Sequence, residues 1–183
     1  MKKKYNIIYA DPPWEYNKRN NTNTKFGGGI YSHYDSMKID DICKMEIPSD
    51  DNCALFLWVT FPKLEYGMRV IKEWGFTYKT IGFNWVKTNK NNTDPFFGVG
   101  YYTKSNTEVC LLGIKGKMKP ISNKISSVVI HPRMAHSKKP DVVRDNIVEL
   151  FGDVPRLEMF ARQKTEGWDV FGNQVNDSVD LYM

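Results

Sequence analysis

The chain has 183 residues, a length that fits one domain, and the sequence predicts a single domain over residues 1–183. With 41% hydrophobic and 26% charged residues, its composition excludes wholesale disorder, collagen-like repeats and a coiled coil. The net charge of +5 is compatible with a polyanionic partner, although proteins without such a partner carry similar charges. Ten Phe, ten Tyr and five Trp are more rings than a small core readily hides, so some are expected to be stacking surfaces.

The three cysteines and the N-terminus indicate a cytoplasmic protein. Cys43, Cys53 and Cys110 are scattered and form no C-x-x-C pair, so core thiols in a reducing compartment are expected. The basic start is followed by an apolar run that Pro12 and Pro13 interrupt, which is too short for an export signal. No stretch is long enough to span a bilayer.

The first predicted strand ends in an unusual group of residues. Tyr5–Ala10 is a short β-rich run, and Pro12 and Pro13 end it because neither can continue a ladder of backbone hydrogen bonds. Asp11 is therefore expected at the carboxyl edge of a strand. Residues 17–29 are polar and glycine-rich without periodicity, which predicts a mobile loop beside Asp11.

A short helix and a strand-helix unit follow. Residues 39–45 fit a short helix, and residues 53–60 are apolar on both alternations, as expected of a central strand covered on both faces. Pro62 occupies a first helical position, and Gly75 ends that helix. Its predicted apolar face consists of Leu64, Met68, Ile71 and Trp74.

The second half of the chain continues the alternation of strands and helices. Pro140 opens a helix that Gly152 ends, with Val143, Ile147 and Leu150 as its apolar face. Further strands are predicted at residues 80–87, 108–115, 156–161 and 168–171, with loops at 89–106 and 116–127. This order predicts an α/β fold, one open sheet with helices on both faces, in which ligands bind where strands end.

The predicted end of the first strand combines a carboxylate, a rigid turn and a large ring, which are supplied by Asp11, Pro12, Pro13 and Trp14. The two prolines fix the backbone and have no N–H groups, so nearby carbonyls can accept from a ligand's donor, and an amino group suits such a site. The alternative is a strand that merely ends in a turn, with an Asp cap and a core Trp.

From this motif onward, the chain resembles the DPPW-type adenine methyltransferases, the family that includes the catalytic subunit of the eukaryotic messenger-RNA adenine methyltransferase. The resemblance runs nearly end to end in eight ordered blocks. The blocks lie at residues 9–14 (YADPPW), 33–37 (HYDSM), 55–60 (LFLWVT), 85–89 (WVKTN), 108–116 (EVCLLGIKG), 132–141 (PRMAHSKKPD), 157–162 (LEMFAR) and 167–174 (GWDVFGNQ).

The resemblance implies a Rossmann-like S-adenosylmethionine-dependent fold, circularly permuted so that the catalytic motif precedes the cofactor-binding strand. It implies methyl transfer to the N6 amino group of adenine in nucleic acid, with DNA favoured over RNA. The alternatives are an RNA methyltransferase and a catalytically silent nucleic-acid-binding partner subunit. A homodimer or a second subunit is compatible with the resemblance.

Residue roles follow from the same resemblance. Asp11, Pro12, Pro13 and Trp14 form the implied catalytic motif. Asp11 and the Pro12 carbonyl would accept the two hydrogens of the adenine amino group. The implied cofactor-binding residues are Asp11, Lys139, Arg162, Asn173 and Gln174, and the implied substrate-binding residues are Trp14, Tyr34, Ser137, Lys139 and Glu108. Without the resemblance, Arg162, Asn173 and Gln174 would be surface residues, Trp14 a core ring and Ser137 a helix cap.

Three further expectations concern ligands. The cofactor's adenine is expected near residues 128–130 or Gln174, because only a few residues precede the catalytic strand. The histidines show no metal-ligand spacing, so no metal is expected. Lysines and arginines in two loops are expected either to contact phosphates or merely to solubilise the chain: Lys18, Arg19, Lys25, Lys115, Lys117, Lys119 and Lys124.

Overall fold

The computed structural model describes residues 3–15, 36–91, 93–98, 100, 102–134, 138–179 and 181. Within these ranges the chain forms three α-helices and seven strands, and a single 3-10 turn covers Phe61–Lys63. The elements in chain order are β1 (Tyr5–Ala10), α1 (Ile39–Lys44), β2 (Ser49–Val59), α2 (Leu64–Glu73), β3 (Thr77–Thr88), β4 (Thr107–Lys115), β5 (Val128–Pro132), α3 (Val142–Phe151), β6 (Arg156–Met159) and β7 (Asp169–Phe171).

The strands form one sheet in the order β5-β3-β4-β2-β1-β6-β7. Only β4 is antiparallel to its neighbours, so the sheet is mixed. The reason lies in the connection from β3 to β4, which folds as a hairpin, whereas parallel neighbours need a crossover over one face. The predicted α/β class is confirmed.

β1 lies in the middle of the sheet, as its sequence indicates. Ala10 pairs with Leu57 of β2 on one side and with Met159 of β6 on the other, both in parallel. Its side chains alternate between two cores, with Ile8 in one and Tyr9 in the other. Because both faces of β1 are covered, its carboxyl end is the point at which the chain leaves the interior.

Helices cover both faces of the sheet, which confirms that prediction. α1 and α2 pack on one face through Ile42, Val70 and Ile71, and α3 packs on the other through Val143 and Ile147. The predicted faces of the helices need correction. On α2 the side chains of Leu64 and Met68 are exposed, and on α3 Leu150 is half-buried while Arg144 and Phe151 are buried.

Gly67 explains the rotation of α2. A side chain at this position would lie against Leu111 and Val59, so its absence lets the helix approach β2 and β4 on this side. Leu64 and Met68 are consequently turned away from the sheet. A helical pattern of apolar residues cannot reveal this, because a glycine contributes no hydrophobic signal to the pattern.

Two strand predictions were also incomplete. β5 was not predicted, because a short apolar run before Pro132 gives a weak strand signal. The strand predicted at 156–161 ends at Met159, since Phe160 has a φ of 61° and leaves the extended conformation there. The edge strand β5 pairs in parallel with β3.

The three cysteines are free thiols with different degrees of burial. Cys53 and Cys110 are buried, as predicted for core thiols, whereas Cys43 is only half-buried and packs against the edge of the core. Burial raises the pKa of the Cys53 thiol to about 12. In the described ranges, no helix is long and apolar enough to cross a membrane. The same ranges contain no cluster of His, Cys, Asp and Glu that could hold a metal ion.

Candidate active site

β1 and β6 are parallel neighbours, and their carboxyl ends lie side by side at one edge of the sheet. From β1 the chain leads to its neighbour β2 on one side, and from β6 it leads to its neighbour β7 on the other. In open α/β sheets, ligands usually bind in a crevice at the point where the connections of adjacent parallel strands diverge in this way. We call this position the β1–β6 crevice, and Asp11 directly follows β1 there.

Four charged side chains form one network along this edge of the sheet. The Nζ atom of Lys139 lies 2.7 Å from Oδ2 of Asp11 and 3.3 Å from Oε2 of Glu108. The Nζ atom of Lys87 lies 2.5 Å from Oε1 of Glu108. The Lys139 side chain is 8% exposed and that of Asp11 is 27% exposed, so the carboxylate of Asp11 is the accessible end of the network.

Tryptophan side chains from buried strands support the two lysines. Lys139 lies over the ring of Trp58 at 5.5 Å, and Lys87 lies over the ring of Trp85 at 5.1 Å. The indole N–H of Trp58 donates to the hydroxyl of Tyr9 at 2.7 Å, which fixes the ring beneath Lys139. Aromatic faces attract cations, so the rings favour the charged lysines at a site that is poor in water.

The charges in the network hold one another ionised. Burial alone would raise the pKa of the Glu108 carboxyl, but the charges of Lys139 and Lys87 outweigh it and the pKa lies below its usual range. Burial would lower the pKa of Lys139, and the charges of Asp11 and Glu108 reverse this effect, so its pKa is raised. Glu108 and Lys139 are therefore both charged at neutral pH.

The depressed pKa of Glu108 predicts a pH dependence of stability. Its contribution to the free energy of unfolding is complete above the unfolded pKa near 4.5 and is lost as pH falls through the lower folded pKa. We expect the free energy of unfolding of the native protein to fall more steeply below pH 4.5 than that of Glu108→Gln. Urea unfolding at several pH values measures both, and equal slopes would contradict the prediction.

The turn after Asp11 is held by backbone hydrogen bonds. The N–H of Trp14 donates to the carbonyl of Pro12 at 2.9 Å, and the N–H of Met37 donates to the carbonyl of Pro13 at 2.8 Å. A carbonyl oxygen has two lone pairs, so that of Pro12 can accept one further hydrogen bond. The turn is therefore held in place, and the Pro12 carbonyl keeps one lone pair that these backbone hydrogen bonds do not use.

Trp14 lies in the core of this structure. Its side chain is 7% exposed, and its indole N–H donates to the carbonyl of Trp58 at 3.1 Å. A ring held in this way has little face to offer a base. The burial favours the core alternative that the sequence left open, and a stacking role for Trp14 stays a prediction.

The other wall of the crevice is formed by the ends of β6 and β7. The N–H of Ala161 donates to the carbonyl of Phe171 at 2.9 Å, and a side chain at residue 172 would clash with the backbone of Ala161. Gly172 thus allows the two strand ends to touch. Arg162, half-buried, and Asn173 and Gln174, both exposed, follow these contacts directly at the same edge as Asp11.

Several predicted residues cannot be assigned a position at the site. Tyr34 and Ser137 lie outside the described residues, as do His33, His136, the loop at 17–29 and the lysines and arginine predicted there. The structure brings together Asp11, Lys139 and Glu108 by direct contacts. Lys87 was missed, although it follows two apolar residues at the end of a predicted strand, a position at which a sheet edge presents side chains.

Two predictions are corrected by the topology. Residues 128–130 lie on β5, five strand positions from β6, about 24 Å at the usual spacing between strands, so they cannot share a pocket with Arg162. Lys115 is the last residue of β4 and lies about 27 Å along the extended strand from Thr107, which places it at the edge of the sheet opposite Asp11. There its ammonium donates to the hydroxyl of Ser49. Lys117 follows it there, so phosphates next to the target would be out of reach of both.

A groove of about 680 Å³ lies elsewhere, between α3 and the segment that precedes β7. Its charged lining residues include Arg144 and Arg156, which pair with Glu158 and Asp153 respectively. Neither Asp11 nor Lys139 lines it. Because Arg144 and Arg156 are already paired with carboxylates, we locate the chemistry at the strand ends rather than in this groove.

The fold and the charged network define an α/β protein whose candidate site lies at the carboxyl ends of β1 and β6. Comparison with known proteins identifies its class. The chain matches the MT-A70 family over residues 5–174. It therefore belongs to the MT-A70 family of N6-adenine methyltransferases.

Individual relatives agree with this assignment. The chain is 34% identical over 195 residues to the Type II methyltransferase M.MunI of Mycoplasma sp, covering 97% of this chain and 80% of that protein. It is 29% identical to the N(6)-adenosine-methyltransferase MT-A70-like of Arabidopsis thaliana, over 94% of this chain and 24% of that one. It is 27% identical to the N(6)-adenosine-methyltransferase catalytic subunit METTL3 of Homo sapiens, over 94% of this chain and 28% of that protein. The chain thus spans about a quarter of these two eukaryotic relatives.

Proposed function

We propose that this protein transfers a methyl group from S-adenosylmethionine to the N6 amino group of adenine in DNA. The observation that carries the proposal is the position of Asp11, an accessible carboxylate at the mouth of the β1–β6 crevice, on a rigid Pro-Pro turn and paired with Lys139. The similarity to M.MunI supports DNA as the substrate.

The chemistry requires the amino nitrogen to be oriented. Its lone pair is delocalised into the adenine ring, which makes it a poor nucleophile. Lys139 bonds Oδ2 of Asp11, which leaves Oδ1 to accept one amino hydrogen, and the second lone pair on the Pro12 carbonyl accepts the other. Two acceptors held in place draw the lone pair toward the methyl group, and alignment at near-contact distance supplies much of the acceleration.

Lys139 and Glu108 position Asp11 in this scheme. The ammonium of Lys139 keeps the carboxylate of Asp11 ionised and in one place, and Glu108 with Lys87 keeps Lys139 there. After transfer the spent proton leaves by way of Asp11 or water. Asp11 is thus mainly an orienting acceptor, and a strong base is not required before transfer.

The donor set at the crevice fits S-adenosylmethionine. The ammonium of Lys139 suits the methionine carboxylate, while Arg162, Asn173 and Gln174 suit the ribose hydroxyls and the adenine edge. Because Gly172 lets the ends of β6 and β7 touch, these three side chains follow one another along one wall. When bound, the cofactor supplies the methyl group on a sulfonium.

Cofactor binding separates the proposal from a silent partner subunit. We expect S-adenosylmethionine at 100 times its dissociation constant to raise the melting temperature by roughly 5–10 °C, from about 2.7 kcal/mol of linkage in a chain of this size. Differential scanning fluorimetry measures the shift. A protein that shows no shift but binds nucleic acid would be a silent partner subunit.

The choice between DNA and RNA is tested by competition. Incubation with labelled cofactor and equal amounts of DNA and RNA pools should label the DNA preferentially. Preferential labelling of RNA would support the alternative substrate. We further propose that the strand order is circularly permuted, with the catalytic motif before the cofactor-binding strand. The protein is proposed to be cytoplasmic and to assemble with a second copy or a second subunit.

A further inference from the structure

The connection between β3 and β4 forms an ordered arm at the edge of the sheet that holds the site. We call the described residues of 89–106 the β3–β4 arm. The N–H of Phe96 donates to the carbonyl of Lys87 at 2.8 Å, and the N–H of Gly98 donates to the carbonyl of Ser105 at 3.0 Å. A side chain at residue 98 would clash with that carbonyl. The arm is thus a folded extension of the sheet.

The base of the arm is joined directly to the charged network of the site. The N–H of Lys87 donates to the carbonyl of Asn106 at 2.9 Å, while its ammonium bonds Glu108. Glu108 in turn contacts Lys139, the partner of Asp11. β4 lies two strand positions from β1, about 10 Å at the usual spacing between strands, so the arm is placed beside the target and not over it.

The arm presents aromatic rings to solvent. Tyr102 is 93% exposed and Phe97 is 67% exposed, although both are large rings that proteins usually cover. The guanidinium of Arg133 lies over the ring of Phe96, the neighbour of Phe97 in the chain, at 4.2 Å from the ring centroid. Two exposed rings and a ring-cation pair on one projecting element form a surface on which flat, polarisable groups can stack.

The charges on the arm are predominantly positive. Residues 89–106 contain Lys90 and Lys104 against Asp94, and the exposed Arg133 adds a further cation beside them. Cations next to exposed rings suit a ligand that alternates aromatic bases with phosphates. These cations lie at the same edge of the sheet as Asp11, whereas Lys115 and Lys117 lie at the opposite edge.

We propose that the β3–β4 arm is a stacking platform for the nucleotides that flank the target adenine. Phe97 and Tyr102 stack on flanking bases, and Lys90, Lys104 and Arg133 contact the adjoining phosphates. This inference rests on the proposed function, because it takes the same nucleic-acid strand as its ligand. Stacking is tolerant of sequence, so the arm contributes affinity and placement rather than recognition of a particular base.

Ring removal tests the platform. In Tyr102→Ala and Phe97→Ala we expect the dissociation constant for a fluorescein-labelled, adenine-containing DNA oligonucleotide to rise about 5- to 150-fold per ring, by fluorescence anisotropy. Tyr102→Phe should bind as the native protein does. The matched control is Tyr78→Ala, which removes a partly exposed ring at the opposite end of β3.

Salt dependence separates the lysines from the rings. Lys104→Ala should reduce the slope of log affinity against log salt by about one, whereas the ring variants should keep the native slope. Affinities of both ring variants within twofold of native would overturn the proposal. It would equally be overturned if ring removal changed the molar mass by light scattering but not oligonucleotide affinity, which would make the arm a subunit contact.

The two proposals fail in different ways. If the native protein methylates DNA adenine and the ring variants bind and react normally, the arm proposal fails and the proposed function stands. If the ring variants lose oligonucleotide affinity while the native protein transfers no methyl group, the proposed function fails, and only the stacking of nucleic acid on the arm stands, without a target adenine. Binding and transfer are therefore measured on the same preparations.

Discussion

Replacing Asp11 with Ala should abolish methyl transfer while the chain stays folded. The variant loses both the acceptor for the adenine amino group and the partner of Lys139, whose ammonium lies 2.7 Å from Oδ2. Loss of one preorganised polar group at a reacting centre costs roughly 100- to 1,000-fold in rate, and loss of an acceptor that also holds a charged neighbour should cost at least that. Labelled-methyl incorporation into DNA under single-turnover conditions measures the effect.

Two controls give this result its meaning. Asp51→Ala removes an exposed carboxylate at the opposite edge of the sheet, where β2 begins, and should leave the rate near native. The circular dichroism spectrum and the melting temperature of Asp11→Ala should remain close to native, since Asp11 is partly exposed and Lys139 keeps Glu108 as an ion-pair partner. Turnover of Asp11→Ala within a few-fold of native would remove Asp11 from the mechanism.

Replacing Arg144 with Met should destabilise the fold by about 3–5 kcal/mol, because the buried carboxylate of Glu158 then loses its cationic partner. The guanidinium donates to both oxygens of Glu158, at 2.7 and 2.5 Å, and to Asp141 at 2.8 Å. The Arg144 side chain is 7% exposed and that of Glu158 is 10% exposed. Urea unfolding of the protein without ligands measures the loss of free energy.

A second variant keeps this prediction specific to the ion pair. Replacing Arg144 and Glu158 together by Met leaves no unpaired charge, and such exchanges of buried ion pairs are often neutral or stabilising. The double variant should therefore recover most of the lost stability. Arg69→Met, which breaks an exposed pair with Asp40, should change the free energy of unfolding little. A double variant as unstable as the single one would contradict the account.

The position of Asp11 at a strand end could be predicted from the sequence, because the residues next to it determine it. Two consecutive prolines cannot continue the hydrogen-bond ladder of a strand that is paired on both sides, so the position of Asp11 at a strand end follows from local residues. The resemblance added Lys139, 128 residues away, whose contact with Asp11 depends on the whole order of the sheet. No local pattern could have shown that pairing.

Other parts of the site depended on topology and escaped prediction. In the sequence, Lys87 looks like an ordinary solvated lysine at a strand end. The pairing of β3 with β4 sets Trp85 opposite Glu108, and this register brings the ammonium of Lys87 to the Glu108 carboxylate. Arg144 occupies a face of α3 that its apolar neighbours predict to be hydrophobic, since pairing with Glu158 makes its burial tolerable. Both cases need tertiary contacts to be recognised.

The misplacement of Lys115 and Lys117 has the same origin. Lysines in a polar loop predict phosphate contacts equally well at either edge of a sheet. The reversed direction of β4 sends this loop to the edge away from Asp11, and the hairpin direction of the same strand brings the β3–β4 arm to the site instead. Strand direction therefore decides which basic loop can reach the substrate.

The most direct test of the account is the chemical identity of the methylated product. DNA incubated with methyl-labelled S-adenosylmethionine and the native protein would be digested to nucleosides and analysed by liquid chromatography with mass spectrometry. The account predicts that the label elutes as N6-methyldeoxyadenosine and is lost with Asp11→Ala. Label in another nucleoside, or no label from a protein that binds the cofactor, would contradict it.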